Sequence, residues 1–339
     1  MGMVEIPEHG TGSVTKAPHL LVAVVGPTAS GKSCLAIHLA QQLGGEVINC
    51  DSLQMYRHFD LGTAKPTLEE RQGILHYLLD ILEPDEQFSA GEYMRQAREV
   101  VSTVAACGHL PIVVGGTGFY LRALIEGLFA GPPRNTRLRQ RLQQRAAVKN
   151  KGYLHRLLLR LDAAAAATIH PHDTPKLIRA LEVCLEARRP MHELFRQGRQ
   201  SLEGFRVLKA GLNPPRAELY ERINQRTRSL FEQGLVEEVR SILAQGYPPT
   251  APPFRSHGYR QALDYLEGRI SLEEALYHAQ TKTRQYAKRQ ITWFRKEPDV
   301  QWFAGFGTDT QVQAAVSRFI SDHRALVVEA GLPASHGLC

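Results

Sequence analysis

Apolar residues in the first third of the chain follow two alternating spacings. Leu20 to Val25 is an unbroken apolar run of strand length that passes straight into a glycine-rich loop. From Lys32 to Leu43 the apolar positions Leu35, Leu39 and Leu43 recur at helical spacing and stop at Gly44-Gly45. Glu46 to Cys50 predicts a second strand, Tyr77 to Ile81 a third, and Leu110 to Val114 another, closed by Gly115-Gly116. Ser89 and Glu92 form a capping box opening a helix that runs to about Ala106 and ends at Gly108. Strands and helices in such short alternation predict a parallel sheet covered by helices on both faces.

The pattern changes after Gly131-Pro132-Pro133. From Arg134 to about Glu203 only helical signals remain: the Arg/Gln-rich Arg137 to Arg145, the alanine run Ala163 to Ala167, and Pro175 to Ala187 with Asp173 or Thr174 as cap. This predicts an all-helical insertion over 134–203. A strand returns at Phe205 to Leu212. Amphipathic helices follow at Arg216 to Gln233 and Leu235 to Gln245, stopped by Gly234 and Gly246. Tyr247 to Pro253 holds four prolines and reads as a rigid connector; a last long helix starts at the capping box Ser271/Glu274 and reaches about Arg295. The core is thus expected over 20–133 and 204–303. Residues 1–19 read as a disordered leader and 304–339 as a tail.

Composition narrows the class. A chain of 339 residues exceeds one ordinary core, so two domains are expected. No run approaches the roughly 18 apolar residues of a membrane span, and the first 19 residues resemble neither a signal nor a transit peptide. The expectation is a cytoplasmic protein with no membrane association. Cys34, Cys50, Cys107, Cys184 and Cys339 lie far apart, without zinc-site spacing, and read as reduced, mostly buried thiols. His170 and His172 have no third ligand at zinc spacing and read as a turn. A net charge of +7 and a pI of about 9.2 favour polyanionic partners such as nucleic acid.

Gly26-Pro27-Thr28-Ala29-Ser30-Gly31-Lys32-Ser33 fits G-x-x-x-x-G-K-[ST] in full, between an apolar strand and a helix. Glycine lets the backbone wrap close to phosphates, and amides at the helix N-terminus point at them. Lys32 supplies positive charge, and Ser33 is a candidate ligand for Mg²⁺. The fold class follows: α/β, a P-loop NTPase-like parallel sheet flanked by helices, with the helical insertion. The loop alone leaves open whether a phosphoryl group is transferred or a diphosphate departs.

Asp51 directly follows the second strand and so stands at the carboxyl end of the sheet, beside whatever the loop binds. Its candidate roles are general base or metal contact; a turn cap is the other reading. Thr117 repeats this placement at another strand end, as a substrate contact or a helix cap. Arg222 and Arg226 are an i, i+4 pair on one helix face, either a diphosphate clamp or a solvated basic face.

The ordered set G-P-T-A-S-G-K-S, D-S-L-Q-M-Y (Asp51 to Tyr56), D-L-G-T-A-K-P (Asp60 to Pro66), G-G-T-G-F-Y (Gly115 to Tyr120), H-G-Y-R-Q (His257 to Gln261) and K-R-Q-I-T-W-F-R (Lys288 to Arg295) closely resembles the tRNA isopentenyltransferase family over about Leu20 to Phe303. The resemblance implies alkyl transfer from dimethylallyl diphosphate to N6 of the adenine at tRNA position 37, releasing pyrophosphate. It implies Asp51 as the base on N6 and Thr117 as a substrate contact. Arg222 and Arg226 match its R-I-x-x-R. Its tRNA-contacting segments match Asp51, Ser52, Leu53 and Gln54; Pro175, Lys176, Leu177, Ile178 and Arg179; Arg255, Ser256, His257, Gly258, Tyr259 and Arg260; and Lys288, Arg289, Gln290, Ile291, Thr292, Trp293, Phe294 and Arg295. Arg139 falls at a matching contact in the insertion. His257 departs from the family, which usually has an apolar residue there. The zinc finger that eukaryotic members often carry has no counterpart in this sequence.

The chemistry agrees. An adenine amine is a weak nucleophile, and a carboxylate of ordinary pKa, about 4, is ionised at pH 7 and can take its proton. The departing pyrophosphate gains charge that loop amides, Lys32, Mg²⁺ and arginines would stabilise. The base must be flipped out of the anticodon loop to react. Lys282, Arg284, Lys288, Arg289, Arg295 and Lys296 interleave with Tyr286, Trp293 and Phe294, which suits RNA backbone contact and stacking, with Arg284, Lys288 and Arg295 on one stripe. An amphipathic helix with aromatics in the core is the other reading. The expected partners are the tRNA anticodon stem-loop and dimethylallyl diphosphate, bound by a monomer. A small-molecule P-loop kinase, an adenylate isopentenyltransferase and a non-catalytic RNA-binding NTPase stand as alternatives.

Overall fold

A computed structural model describes residues 18–196 and 198–329. Strand β1 (His19–Val25) leads through the phosphate loop into helix α1 (Lys32–Leu43), then β2 (Gly45–Asn49), β3 (His76–Tyr77), α2 (Ala90–Ala106), β4 (Leu110–Val114) and α3 (Gly118–Glu126). The chain continues through α4 (Thr136–Val148), α5 (Tyr153–Leu161), α6 (Ala163–Thr168), α7 (Thr174–Ala187) and α8 (Met191–Arg196). It returns in β5 (Phe205–Leu212), α9 (Arg216–Glu232), α10 (Leu235–Ala244), a 3-10 turn (Pro252–Arg255), α11 (Tyr259–Leu266), α12 (Leu272–Phe294), β6 (Val300–Phe303) and α13 (Thr310–Glu329).

Six strands form one parallel sheet in the order β3-β2-β4-β1-β5-β6. The two-residue alternation of the strands decides its faces. Leu20, Val22 and Val24, Leu110, Ile112 and Val114, and Leu208, Ala210 and Leu212 point to one side, where they bury Leu35 and Leu39 of α1 and Val312, Val316 and Ile320 of α13. Helix α2 packs against β1, β2 and β4 through its own buried stripe, Tyr93, Ala97, Val101 and Val104. The capping boxes at Ser89/Glu92 and Ser271/Glu274 both form.

The chain divides into two compact units, Met1–Leu121 with Glu203–Cys339, and Arg122–Leu202. The second is all-helical around a core that includes Leu142, Leu158, Leu177 and Leu181. It starts earlier than the expected 134, because its entry and exit segments pair. The Leu202 amide donates to the Ile125 carbonyl at 2.8 Å, Phe129 bridges Arg199, and Phe129 stacks on Phe195. Asp173 is the cap of α7.

Four expectations are corrected. The third strand is only His76–Tyr77, since Leu78 and Asp80 take positive φ and turn the chain out of the ladder. His19, placed in the leader, opens β1 and pairs with Phe205 of β5; residues 1–17 lie outside those described. The region read as a tail contains α13, whose Val312, Val316 and Ile320 recur every four residues and complete the core; residues 330–339 lie outside those described. Cys34 and Cys107 are exposed rather than buried; Cys50 and Cys184 are buried, and Cys339 lies outside the described residues. Among the described residues no helix is long and apolar enough to cross a membrane, and no group of three His, Cys, Asp or Glu could hold a metal ion.

Candidate active site

The carboxyl ends of β1, β2 and β4 open into a cleft of about 640 Å³, lined among others by Thr28, Ala29, Gly31, Lys32, Ser33, Asp51, Gly115 and Arg226. The loop that floors it is backbone-defined. Ala29 adopts φ 63° and Gly31 φ 85°, and a side chain on Gly31 would be strained by that φ and would press on the backbone of Gly307 and Thr308 at 3.0 Å. Gly26, Pro27 and Ser30 are buried. The Ser30 carbonyl accepts the Gly307 N–H at 2.8 Å, so the turn before α13 braces the loop. Ser33 is exposed in the first turn of α1.

Lys32 Nζ donates to the Pro27 carbonyl at 2.7 Å. Burial lowers its pKa to about 8; Asp51 opposes that shift, and Arg226 adds to it. The ammonium is therefore held at some cost, which an anion in the cleft would relieve. Arg226 lines the same cleft; burial works against its charge, Asp51 and Glu70 support it, and Arg222 opposes it. Arg222 does not line this cleft: its guanidinium lies 4.3 Å over the Phe306 ring and reaches the Thr308 hydroxyl at 3.2 Å. The arginine pair is thus split between the cleft and the turn that braces the loop.

Asp51 is held at both ends of its peptide by Asn49, whose side chain accepts the Asp51 N–H at 2.9 Å and donates to its carbonyl at 3.0 Å. Asp51 Oδ1 accepts the Leu53 N–H at 2.9 Å, so the turn-cap role and the cleft position coexist in one carboxylate. Thr117 Oγ1 accepts the Ser52 N–H at 3.1 Å, and the Thr117 N–H donates to the Cys50 carbonyl at 3.2 Å. Thr117 therefore fixes the Asp51 turn from the neighbouring strand end; it is absent from the cleft lining. The Cys50 thiol beside it is pushed up to about 12 by burial and is chemically quiet.

A small pocket of about 90 Å³ adjoins Asp51, walled by Leu53, Ile223, Leu230, Leu235, His257 and Tyr286 among others. His257 Nε2 accepts from the Arg289 guanidinium at 3.3 Å, and its ring lies 5.5 Å from that of Tyr286. Burial, Arg289 and Lys282 lower its pKa.

The segments matched to tRNA contact are only partly on the surface. Ser52, Leu53 and Gln54 are half-buried around the Asp51 turn, and the Gln54 amide donates to the Thr63 and Ala64 carbonyls at 3.1 Å each. Pro175 and Lys176 are exposed, but Leu177 and Ile178 sit in the helical core. Arg139 and Arg179 both clamp the fully buried Glu182, at 2.8 and 2.6 Å. Arg255 and Arg260 are exposed, Ser256 is half-buried, while Gly258 and Tyr259 are buried; the Tyr259 hydroxyl bonds Gly62 N–H and Glu238. On α12, Lys288, Arg289, Thr292 and Arg295 are exposed, Ile291 and Trp293 half-buried, and Gln290 and Phe294 buried. Arg284 is tied to Asn224 rather than presented with the stripe. Leu177, Ile178, Gly258, Tyr259, Gln290 and Phe294 are buried: apolar spacing on their own helices draws the first two and Phe294 inward, and hydrogen bonds hold Tyr259 and Gln290. Lys288 and Arg295 join Arg216, Tyr220 and Phe306 along a separate groove of about 680 Å³.

The family model described as IPP transferase matches residues 54–297. This chain belongs to the IPP transferase family. A tRNA dimethylallyltransferase of Solibacter usitatus is 56% identical over 293 residues, covering 86% of this chain and 95% of that one. The structure of a tRNA isopentenylpyrophosphate transferase of Bacillus halodurans is 36% identical, with TM-score 0.69, covering 92% of this chain and 99% of that one. A eukaryotic dimethylallyltransferase acting on tRNA is 25% identical with TM-score 0.78, covering 94% of this chain and 81% of that one.

Two residues of this IPP transferase escaped the reading from sequence, and a third, Gln290, was read there only as an RNA contact. Asn49 orients Asp51, and its signal was a polar residue closing an otherwise apolar strand. Glu238 accepts the Leu61 N–H at 2.8 Å and holds the G-T-A-K-P loop; nothing in its own helix marked it. Gln290 is a polar residue in the buried stripe of α12, between Ala287 and Phe294.

Proposed function

We propose that this protein transfers a dimethylallyl group from dimethylallyl diphosphate to N6 of the adenine at position 37 of tRNA, beside the anticodon, releasing pyrophosphate. It is an enzyme, a prenyltransferase that acts on tRNA. The observation that carries the reading is the convergence of the phosphate loop, Lys32, Arg226 and Asp51 on one cleft, with a largely apolar pocket opening from Asp51. The loop amides, Lys32 and Arg226 would hold the diphosphate, and the pocket walls would receive the five-carbon chain. The new bond joins the prenyl C1 to N6 and the C1–O bond to the diphosphate breaks. The N6 proton passes to Asp51, whose Oδ1 is anchored by Leu53 while Oδ2 carries no hydrogen bond among the described residues. Positive charge fixed around the loop stabilises the leaving pyrophosphate without reorganisation.

Mg²⁺ fits the donor set: the exposed hydroxyl of Ser33 beside the Asp51 carboxylate, with Glu70 also lining the cleft and no three-ligand cluster among the described residues. That suits an ion that keeps waters and binds through substrate phosphates. When bound it would neutralise diphosphate charge. The proposal also has the enzyme act as a monomer in the cytoplasm, with Lys288, Arg289 and Arg295 meeting RNA phosphates.

The test is to incubate the protein with Mg²⁺, dimethylallyl diphosphate and unmodified tRNA without ATP, and to follow prenyl incorporation. Incorporation at adenine 37 is expected. Prenylation of AMP but not tRNA would move the assignment to an adenylate isopentenyltransferase, and ATP turnover without prenylation would overturn both. One tRNA per chain by sedimentation is expected for the monomer.

A further inference from the structure

Gln290 joins three parts of the site through one carboxamide. Its Oε1 accepts the Thr28 N–H at 2.8 Å, on the crest of the phosphate loop. Its Nε2 donates to the Gly116 carbonyl at 3.0 Å, at the corner after β4. The next residue, Thr117, holds the Asp51 turn through Ser52. Gln290 is only 4% exposed, and a side chain on Gly116 would run into its carboxamide. A primary amide accepts from an N–H through its oxygen and donates to a carbonyl through its nitrogen, from two separate atoms; a carboxylate, an ammonium or a thioether cannot do both. The flanking residues Lys288 and Arg289 are exposed on the same helix, so the residue that grips the loop stands on the element that presents cations outward.

We infer that Gln290 is a positioning residue for the transfer: it sets the separation between the loop that holds the diphosphate and the turn that carries Asp51. The inference rests on the function proposed above. The loop crest and the Asp51 turn belong to different strand ends, and Gln290 ties the first to Gly116, whose neighbour Thr117 holds the second, without itself lining the cleft. A transfer between two bound substrates is sensitive to such spacing, since an error of about 1 Å can cost about a hundredfold in rate. Loss of the side chain therefore acts on the chemical step rather than on either binding step.

Gln290→Met keeps the length of the side chain and removes both hydrogen bonds. Expected are an unchanged melting temperature within a few degrees, affinities for pyrophosphate and for tRNA within about threefold, and a single-turnover transfer rate at saturating substrates lower by about a hundredfold. Gly116→Ala is expected to lower the same rate by pushing on the carboxamide, and to add nothing in a Gln290→Ala background, where its methyl group has room. That non-additivity shows that the two substitutions act through the same contact, and a loss in single-turnover rate with affinities and melting temperature kept is what a merely structural role would not produce. A Gln290→Met rate within threefold of the parent, a loss confined to KM, or additive effects of the two substitutions would each overturn the inference. Should Gln290→Met not fold, Gly116→Ala and the double variant carry the test. Failure of the parent protein to bind pyrophosphate or to prenylate tRNA would instead strike the proposed function, which separates the two.

Discussion

The phosphate loop and helix α12 both carry contiguous motifs of eight residues, yet they turn out to be different kinds of object. In the loop the backbone is the working part. Its conformation is set by positive φ at Ala29 and Gly31 and by contacts with the Gly307 turn, so Thr28, Ala29, Gly31, Lys32 and Ser33 line the cleft while Gly26, Pro27 and Ser30 shape the turn from beneath. In Lys288 to Arg295 the side chains are the working part, and a helix sends successive side chains in different directions. Half the segment faces solvent, while Gln290 and Phe294 are buried. A linear motif therefore reports a site when the backbone binds, and a mixture of surface and support when side chains do.

That contrast can be broken at either end, and the largest effect belongs to the cleft. Asp51→Asn keeps the Leu53 cap but removes the base, and should lower turnover by about 10² to 10⁴ while leaving tRNA affinity within about threefold; an unchanged single-turnover rate would remove Asp51 from the chemistry. Next comes a residue whose motif position suggested RNA contact but whose place is the core. Leu177→Ala should destabilise the protein by about 2–5 kcal/mol in chemical denaturation, while the folded fraction binds tRNA as before. A tRNA-binding loss with normal stability would restore the contact reading.

A smaller effect concerns protons. Burial holds the Lys32 pKa at about 8, below its unfolded value, and a bound diphosphate would raise it. Below pH 8 Lys32 is already charged, so its contribution to affinity should be flat; above pH 8 binding requires proton uptake at Lys32, and that contribution should fall by up to about tenfold per pH unit once the ionisation of pyrophosphate itself is subtracted. Calorimetry in buffers of different ionisation enthalpy would reveal the uptake, and its absence at pH 9 would place the anion away from Lys32. The smallest effect is at the surface. Lys288→Gln should weaken tRNA binding modestly and reduce the slope of log affinity against log salt by about one, across tRNA sequences alike. An unchanged slope would take Lys288 out of the RNA interface.

Much of the core was legible because its signals are local. The strands at Leu110–Val114 and Phe205–Leu212 and the helix Lys32–Leu43 lie where apolar spacing and glycine stops put them. Asp51 was placed by the same logic, as the residue after a strand end. What was not legible depends on partners distant in sequence. Arg222 and Arg226 are indistinguishable as an i, i+4 pair; only Thr308 and Phe306, folded back from beyond β6, draw the first away from the cleft. Arg139 reads as a free cation until the buried Glu182 is seen beside it. The apolar four-residue spacing of Val312, Val316 and Ile320 was present in the sequence and was outweighed by the position of the segment past the last recognisable motif.

The bond from Gly307 to Ser30 also has a bearing on the order of events during synthesis. Chains emerge from the ribosome N-terminus first, at about 5–20 residues per second. Here the phosphate loop emerges early, but the strand that pairs with β1 over its whole length is β5, and the turn that braces the loop lies beyond β6. The loop thus waits for more than 270 further residues before its last support arrives, the separation between Ser30 and Gly307 in the chain. A nascent chain would carry the complete motif for most of its synthesis without the bond that braces the loop.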